Sequence, residues 1–406
     1  MRTLSDDPQE KANSVAAVRT VFGSFVVMAV VGSMYGMSAL LVLIPGAAPS
    51  RLPLSVLGFG AASAGLAAGT VIAGKLLIKL SPRTVGVVGA ITWSTTAMIS
   101  GGLVAAGQWR FALAPLALGG IGIGLTYLTV VVNLGPRFPN RPVLGASIGP
   151  AGFSAGTVVI SLTSLVTLGS SSTPAQVGSI IVVLGVVGFV LSLTGRWLPG
   201  TRPTEASTGV GRAAQAPRLS ATQTLRLAVL LGVNALPGML LLSFAFPILE
   251  SWTSLSYQQI ATVLAASMVM LFAGGLISPT LTRRVGTRGA FVALLAFRGV
   301  LLVVTAFSHN PVILFVLLAC VLIGHGSGFA ILPGVTRKLS GPRTFASDYG
   351  LVLGSWGLSG VLATLLGLAS WYRNDSVTGA LLVTGALVLL TAVGLSRQGV
   401  RHPLLS

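Results

Sequence analysis

LIGHGSG, Leu322 to Gly328, sets three glycines and a histidine into an apolar run that extends from Pro311 to Leu332. Each glycine weakens a helix by about 0.8–1 kcal/mol relative to alanine, so their presence needs a reason. LGGIGIG, Leu118 to Gly124, carries the same Gly-x-Gly-x-Gly spacing 204 residues earlier. Other features recur at nearly that distance. Gly36-Met37 with Pro45 is answered by Gly238-Met239 with Pro247. Leu76, Lys79, Ser81 and Arg83 are answered by Leu281, Arg284, Gly286 and Arg288, and Gly149-x-x-Gly152 by Gly354-x-x-Gly357. Four features at offsets of 202 to 205 residues read as a duplicated unit.

The unit consists of membrane-length runs. The chain is 53% hydrophobic and 8% charged, against roughly 25% charged for a soluble domain. Twelve apolar runs of bilayer length follow one another: 21–45, 55–77, 84–106, 111–134, 143–168, 176–196, 226–249, 257–278, 289–308, 312–333, 347–370 and 377–396. Numbered as runs 1 to 12, they predict an all-α membrane protein of twelve transmembrane helices in two six-helix bundles. Six helices return the chain to its starting side, so the copies share one orientation and are related by a pseudo-two-fold along the membrane normal. The expected division is an N-terminal bundle, 1–197, a cytoplasmic linker, 198–222, rich in Pro, Gly, Ser, Thr and Arg, and a C-terminal bundle, 223–406. The polar start, MRTLSDDPQEKANSV, has no signal-peptide core, so run 1 is expected to stay in the mature chain.

The net charge of +18 follows the same plan. With the N-terminus in the cytoplasm, 21 of the 25 Lys and Arg fall on the cytoplasmic side, Arg51, Arg110 and Arg373 fall outside, and Arg298 lies within run 9. This bias predicts both termini inside, in the plasma (cytoplasmic) membrane. No soluble basic face with stacking aromatics stands out, so no nucleic-acid partner is expected. Cys320, the single cysteine, forms no internal disulfide, and neither metal-ligand spacing nor a phosphate loop occurs. No cofactor is expected. The three glycines have two readings: a smooth face for close helix approach, or a glycine-rich composition of 52 residues.

Twelve spans in two parallel repeats, with basic loops after runs 2 and 8, resemble the major facilitator superfamily. Its loop signature survives in GKLLIKLSPR as Gly74, Leu76, Lys79 and Arg83, with Ile78 at the acidic position, and in PTLTRRVGTR as Leu281, Arg284, Gly286 and Arg288, with Arg283 there. GIGIGLTYL, RFPNRPVLGASIGPAGFSAG and YGLVLGSWGLSG resemble the oxalate/formate and monocarboxylate branch. That resemblance implies a small organic anion such as a monocarboxylate. The branch's cation in run 8 is replaced by Gly274 and Gly275, and run 11 lacks the lysine of oxalate exchangers. Gly145-x-x-x-Gly149-Pro150 is a fragment of an exporter motif, while run 4 lacks the arginine of drug/proton antiporters.

In this fold runs 1, 4, 7 and 10 line the central cavity. The substrate-binding candidates are therefore Tyr35, Ser38, Thr126, Tyr127, Asn234, His325 and Ser327, although each taken singly reads more readily as a packing or interhelical hydrogen bond. Arg298 joins them. It lies roughly 14 Å deep in a core about 30 Å thick, and at mid-membrane an arginine costs on the order of 2.5–3.5 kcal/mol on insertion scales. Carbonyls and hydroxyls of neighbouring helices, a lipid phosphate or a bound anion are its three open partners. No Asp or Glu lies mid-span, so His325 is the candidate proton carrier if transport is proton-coupled. Gly74, Lys79, Arg83, Arg284, Gly286 and Arg288 are read as gating and topology residues. Arg298 and His325, the only mid-span ionisable groups, make no catalytic set, so no enzyme is expected. The expected function is secondary transport of a small solute by alternating access. The chain is expected to act as a monomer among membrane lipids. The alternatives are efflux of a neutral or hydrophobic compound and a non-transporting receptor on the same scaffold.

Overall fold

The computed structural model describes residues 8–44, 54–134, 138, 142–201, 218–341 and 343–397. Within them the regular structure is helical throughout, and twelve helices are long and apolar enough to cross a membrane. In chain order they are α1 (Pro8–Leu41), α2 (Leu54–Lys79), α3 (Pro82–Ala105), α4 (Leu113–Leu134), α5 (Pro142–Thr167), α6 (Pro174–Ser192) and α7 (Ala221–Trp252). Then come α8 (Tyr257–Ser278), α9 (Thr280–Thr305), α10 (Pro311–Leu339), α11 (Phe345–Asn374) and α12 (Thr378–Arg397). Short 3₁₀ turns, Trp109–Ala112 and Leu193–Trp197, precede α4 and follow α6. Arg51 and Ser406 are among the residues outside this description, as is most of the linker.

Local chemistry sets the helix starts. Capping boxes open α6 (Thr173 with Gln176), α7 (Ser220 with Gln223) and α8 (Ser256 with Gln259). In each, a hydroxyl and a glutamine amide satisfy two backbone N–H groups that the first turn leaves unpaired. Ser81 and Asn310 cap α3 and α10, each followed by proline at the first helical position. The helical run from Tyr257 to Thr305 is broken once, at the non-helical Gly286, whose φ of 71° only glycine adopts without strain.

α2 packs between α4 and α11, α1 lies on α5, and α3 lies on α4 and α6. α7 packs on α10 and α11, while the segment Tyr257–Thr305 packs on α10, α12 and α5. Small residues permit these contacts. A methyl on Gly120 or Gly65 would overlap the carbonyl of Ala62 or Ala117 across the α2–α4 interface, and one on Gly357 would overlap the Ala67 amide of α2. Between lipid-embedded helices such close approach gains van der Waals contact, the attraction that remains when burial from water is absent. Pro150, Pro237, Pro247 and Pro333 lie inside α5, α7 and α10, a placement membrane helices tolerate because neighbouring groups can satisfy the freed carbonyls.

Candidate functional site

α10 runs unbroken through LIGHGSG, and the glycines there are sockets for particular side chains. A methyl on Gly324 would overlap Cδ of Arg298, and one on Gly328 would overlap the Asn234 amide. Gly326 lies against the Leu271 carbonyl of α8, the one of the three used for helix-to-helix approach. The reciprocal socket is Gly238 on α7, which receives the His325 imidazole. The smooth-face reading therefore holds for Gly326 alone. Its counterparts on α4 do pack backbone to backbone, Gly122 on Gly89 and Gly124 on Thr70.

Arg298 is 0% exposed. Its Nε donates to the Leu294 carbonyl at 3.3 Å, Nη1 to the Asn234 carbonyl at 2.8 Å and Nη2 to Asn234 Oδ1 at 2.6 Å. Two parallel bonds onto two oxygens reproduce the fork an arginine makes with a carboxylate, but both acceptors here are neutral. The charge has no acidic partner among the described residues, and Asn234 Nδ2 is buried without a hydrogen bond. Of the three partners open to Arg298 in the sequence, helix carbonyls and an amide are those it holds here.

Beside this pair lies a narrow cavity of about 30 Å³ bounded by α1, α4, α5, α8, α10 and α11. Tyr35, Tyr127 and His325 line it together. Trp356 Nε1 donates to Tyr35 Oη at 2.8 Å, and Tyr35 Oη lies 3.2 Å from Met239 Sδ and 3.4 Å from His325 Nε2. His325 Nδ1 is buried against the α7 backbone at Gly238 and Ala235. Other sequence candidates turn elsewhere. Thr126 donates to the Gly86 carbonyl of α3 at 3.1 Å, and Ser327 donates to the Gly274 and Ile323 carbonyls at 2.7 and 3.0 Å, pinning α10 to α8. Asn234 and Arg298 form the layer behind His325 and do not line the cavity. The side chain of Ser38 lies outside the described residues.

Phe153, Ser154, Phe272, Phe329 and Trp356 also line the cavity and were not among the sequence candidates. Phe153 and Trp356 sit in PAGFSAG and YGLVLGSWGLSG, two of the stretches that carried the family resemblance, so a signal was present. Among the described residues no group of three or more His, Cys, Asp or Glu is arranged to hold a metal ion.

The loop residues divide. Arg83 Nε donates to the Leu198 carbonyl at 3.2 Å, and Arg288 donates to the Leu395 and Ser396 carbonyls, both at 2.9 Å. Lys79 and Arg284 are exposed. Gly74 packs on α11, where a methyl would stand 2.8 Å from the Ala346 carbonyl.

No family model matches the chain. It is 25% identical over 368 residues to the uncharacterized MFS-type transporter YhjX of Escherichia coli (strain K12), covering 84% of this chain and 85% of that one. Among solved structures it superposes on the human organic anion transporter MFSD10 (TETRAN) with a TM-score of 0.69 and 14% identity, covering 93% of this chain and 99% of the other. The nucleoside transporter NupG gives a TM-score of 0.64 at 14% identity, covering 94% and 98%. The last two likenesses concern the fold.

Proposed function

We infer that this chain, by homology and fold a multi-pass transporter of the major facilitator superfamily, carries a small organic anion by alternating access. The observation that supports this reading is Arg298: a wholly buried guanidinium forked onto neutral oxygens, one layer behind the cavity wall. Burial of an unpaired charge is costly, and a substrate carboxylate entering beside His325 would supply the missing negative charge. It would take over the fork from Asn234, whose amide stands in for it in this structure. Binding is thereby coupled to movement of α7 against α9 and α10. The halves 1–197 and 223–406 would rock about this site, with both termini cytoplasmic, as the loop charges indicate. The fold does not choose the cargo, since its structural neighbours carry an organic anion and nucleosides.

The test compares carboxylates with their uncharged amides as stabilisers of the purified protein. Acetate should raise Tm more than acetamide at equal concentration, and Arg298→Gln should abolish the difference. A charge-assisted hydrogen bond contributes about 1.5–3 kcal/mol, so affinity for the carboxylate should fall on the order of tenfold to a hundredfold. Equal stabilisation by acid and amide would favour the alternative, carriage of a neutral compound, which the largely apolar lining also suits.

A further inference from the structure

Three arginines converge on one open pocket of about 550 Å³ at the linker end of the molecule: Arg19 of α1, Arg83 at the start of α3 and Arg196 in the turn after α6. All three are exposed. Arg83 Nε donates to the Leu198 carbonyl at 3.2 Å, and its Nη1 and Nη2 make no hydrogen bond among the described residues. They face Gly200, which also lines the pocket, where a methyl would stand 3.5 Å from Nη2. In the second copy of the repeat, Arg288 places both Nε and Nη2 on carbonyls. Arg19 and Arg196 form no hydrogen bond or ion pair among the described residues, and the Arg196 guanidinium rests over the Trp197 ring at 5.3 Å. Three like charges so placed repel one another until an anion sits between them.

The surroundings of the pocket select the anion. Val18, Phe22 and Leu193 are 67%, 53% and 50% exposed, and the Phe22 ring lies on Trp197 at 5.8 Å. Val15, Val18 and Phe22 recur at helical spacing, so they form one apolar strip on α1, and Arg19 borders it. This strip belongs to the first membrane-length segment, which begins at Val15. The pocket thus has a cationic mouth and an apolar flank that leads into the bilayer, with a tryptophan at the boundary, where indoles favour the interface. A soluble phosphate gains nothing from the apolar strip, whereas a phospholipid fits both parts. Guanidinium forks match phosphate oxygens better than ammonium groups do.

We propose that this pocket is a binding site for an anionic phospholipid. Arg83 Nη1 and Nη2, Arg19 and Arg196 hold the headgroup phosphate, and an acyl chain lies along Val18, Phe22 and Leu193. The bound lipid ties α1, the start of α3 and the end of α6 together at the linker end of the first six helices.

The full chain, purified in a neutral detergent, tests this with two lipids of matched chains, dioleoylphosphatidylglycerol and dioleoylphosphatidylcholine. Binding is read as lipid retained in native mass spectrometry and as Tm. Phosphatidylglycerol should be retained at least tenfold more than phosphatidylcholine and should raise Tm. Arg19→Gln and Arg196→Gln should each weaken its retention about fivefold, the contribution expected of one basic residue at an anionic membrane surface. Arg83→Gln should do the same, but it also breaks the Leu198 bond; if it misfolds, the other two variants, which break no hydrogen bond, decide the matter. Arg110, over Trp109 at the same 5.3 Å but at the opposite end of the molecule, is the control, and Arg110→Gln should leave retention unchanged. Glycerol 3-phosphate, the phosphate without chains, should leave Tm unchanged. Equal retention of the two lipids overturns the site, as does an equal loss in Arg110→Gln, which would assign the preference to net charge. Stabilisation by glycerol 3-phosphate equal to that by phosphatidylglycerol overturns the lipid and makes the pocket one for soluble phosphates.

Discussion

At the scale of single residues, the glycines of α10 are paired with their occupants. Alanine at Gly328 gains helix propensity of up to about 1 kcal/mol, but its methyl would overlap the Asn234 amide that holds Arg298. Overpacking typically costs about 1–3 kcal/mol, and here it also disturbs a buried cation, so Gly328→Ala should lower Tm. Gly334, in the same helix, has nothing within 4 Å of where a methyl would stand, so Gly334→Ala should leave Tm unchanged or raise it. Equal effects at the two positions would mean that composition, not the Asn234 socket, explains the glycines. His325 yields a second prediction. Of the cavity's lining groups it is the one whose imidazole ordinarily titrates near neutral pH, with Tyr35, Tyr127 and Arg298 as its ionisable neighbours. His325→Gln should abolish accumulation driven by a pH gradient while sparing counterflow exchange in proteoliposomes. Full gradient-driven accumulation in that variant removes His325 from proton coupling.

At the scale of elements, periodicity could mark each run but not where its helix turns. Runs 257–278 and 289–308 suggested a basic loop between two helices; the two helices do separate there, at the single non-helical residue Gly286, with helical turns continuing through the basic residues on either side. Ser220-x-x-Gln223 and Ser256-x-x-Gln259 were readable as helix starts, because a capping box is local chemistry. The facing of Thr126 and Ser327 was not readable, because it depends on which neighbour each helix rotates toward. The same limit hid the difference among the loop cations. Arg288 spans from α9 to the last carbonyls of α12 with two bonds of 2.9 Å, as Arg83 reaches the Leu198 carbonyl beyond α6. Lysine lacks the planar fork that makes both Arg288 bonds. Arg288→Ala should therefore cost about 1–2 kcal/mol and Arg288→Lys part of that, whereas Arg284→Ala at an exposed position should stay within about 0.5 kcal/mol. Thermal unfolding in detergent distinguishes them, and an equal loss at Arg284 and Arg288 would refute the clasp.

At the scale of the whole molecule, the first six and last six helices touch at both ends of the cavity. At the end away from the linker, Tyr257 Oη of α8 lies 3.3 Å from the Ala39 carbonyl of α1 and 3.1 Å from Ser164 Oγ of α5. At the linker end, Gly74 of α2 packs on Ala346 of α11, whose Asp348 takes Arg218 Nε at 3.2 Å and the Leu219 amide at 3.3 Å. Alternating access requires that loosening one end favours opening there at the expense of the other. Tyr257→Phe keeps the ring and removes about one hydrogen bond, close to 1 kcal/mol, which shifts a two-state balance by about fivefold. Ser161 reports the shift. It is 3% exposed and lines the small space beneath Tyr257 with Tyr35, Ala39 and Leu242. In a Cys320→Ala background, Ser161→Cys should react slowly with a membrane-impermeant thiol reagent added to intact cells. Adding Tyr257→Phe should speed that reaction about fivefold. Gly74→Ala, whose methyl pushes α2 from α11 at the opposite end, should slow it instead. An unchanged rate in Tyr257→Phe would show that Tyr257 is no latch, and a faster rate in both variants would show that the two ends open independently.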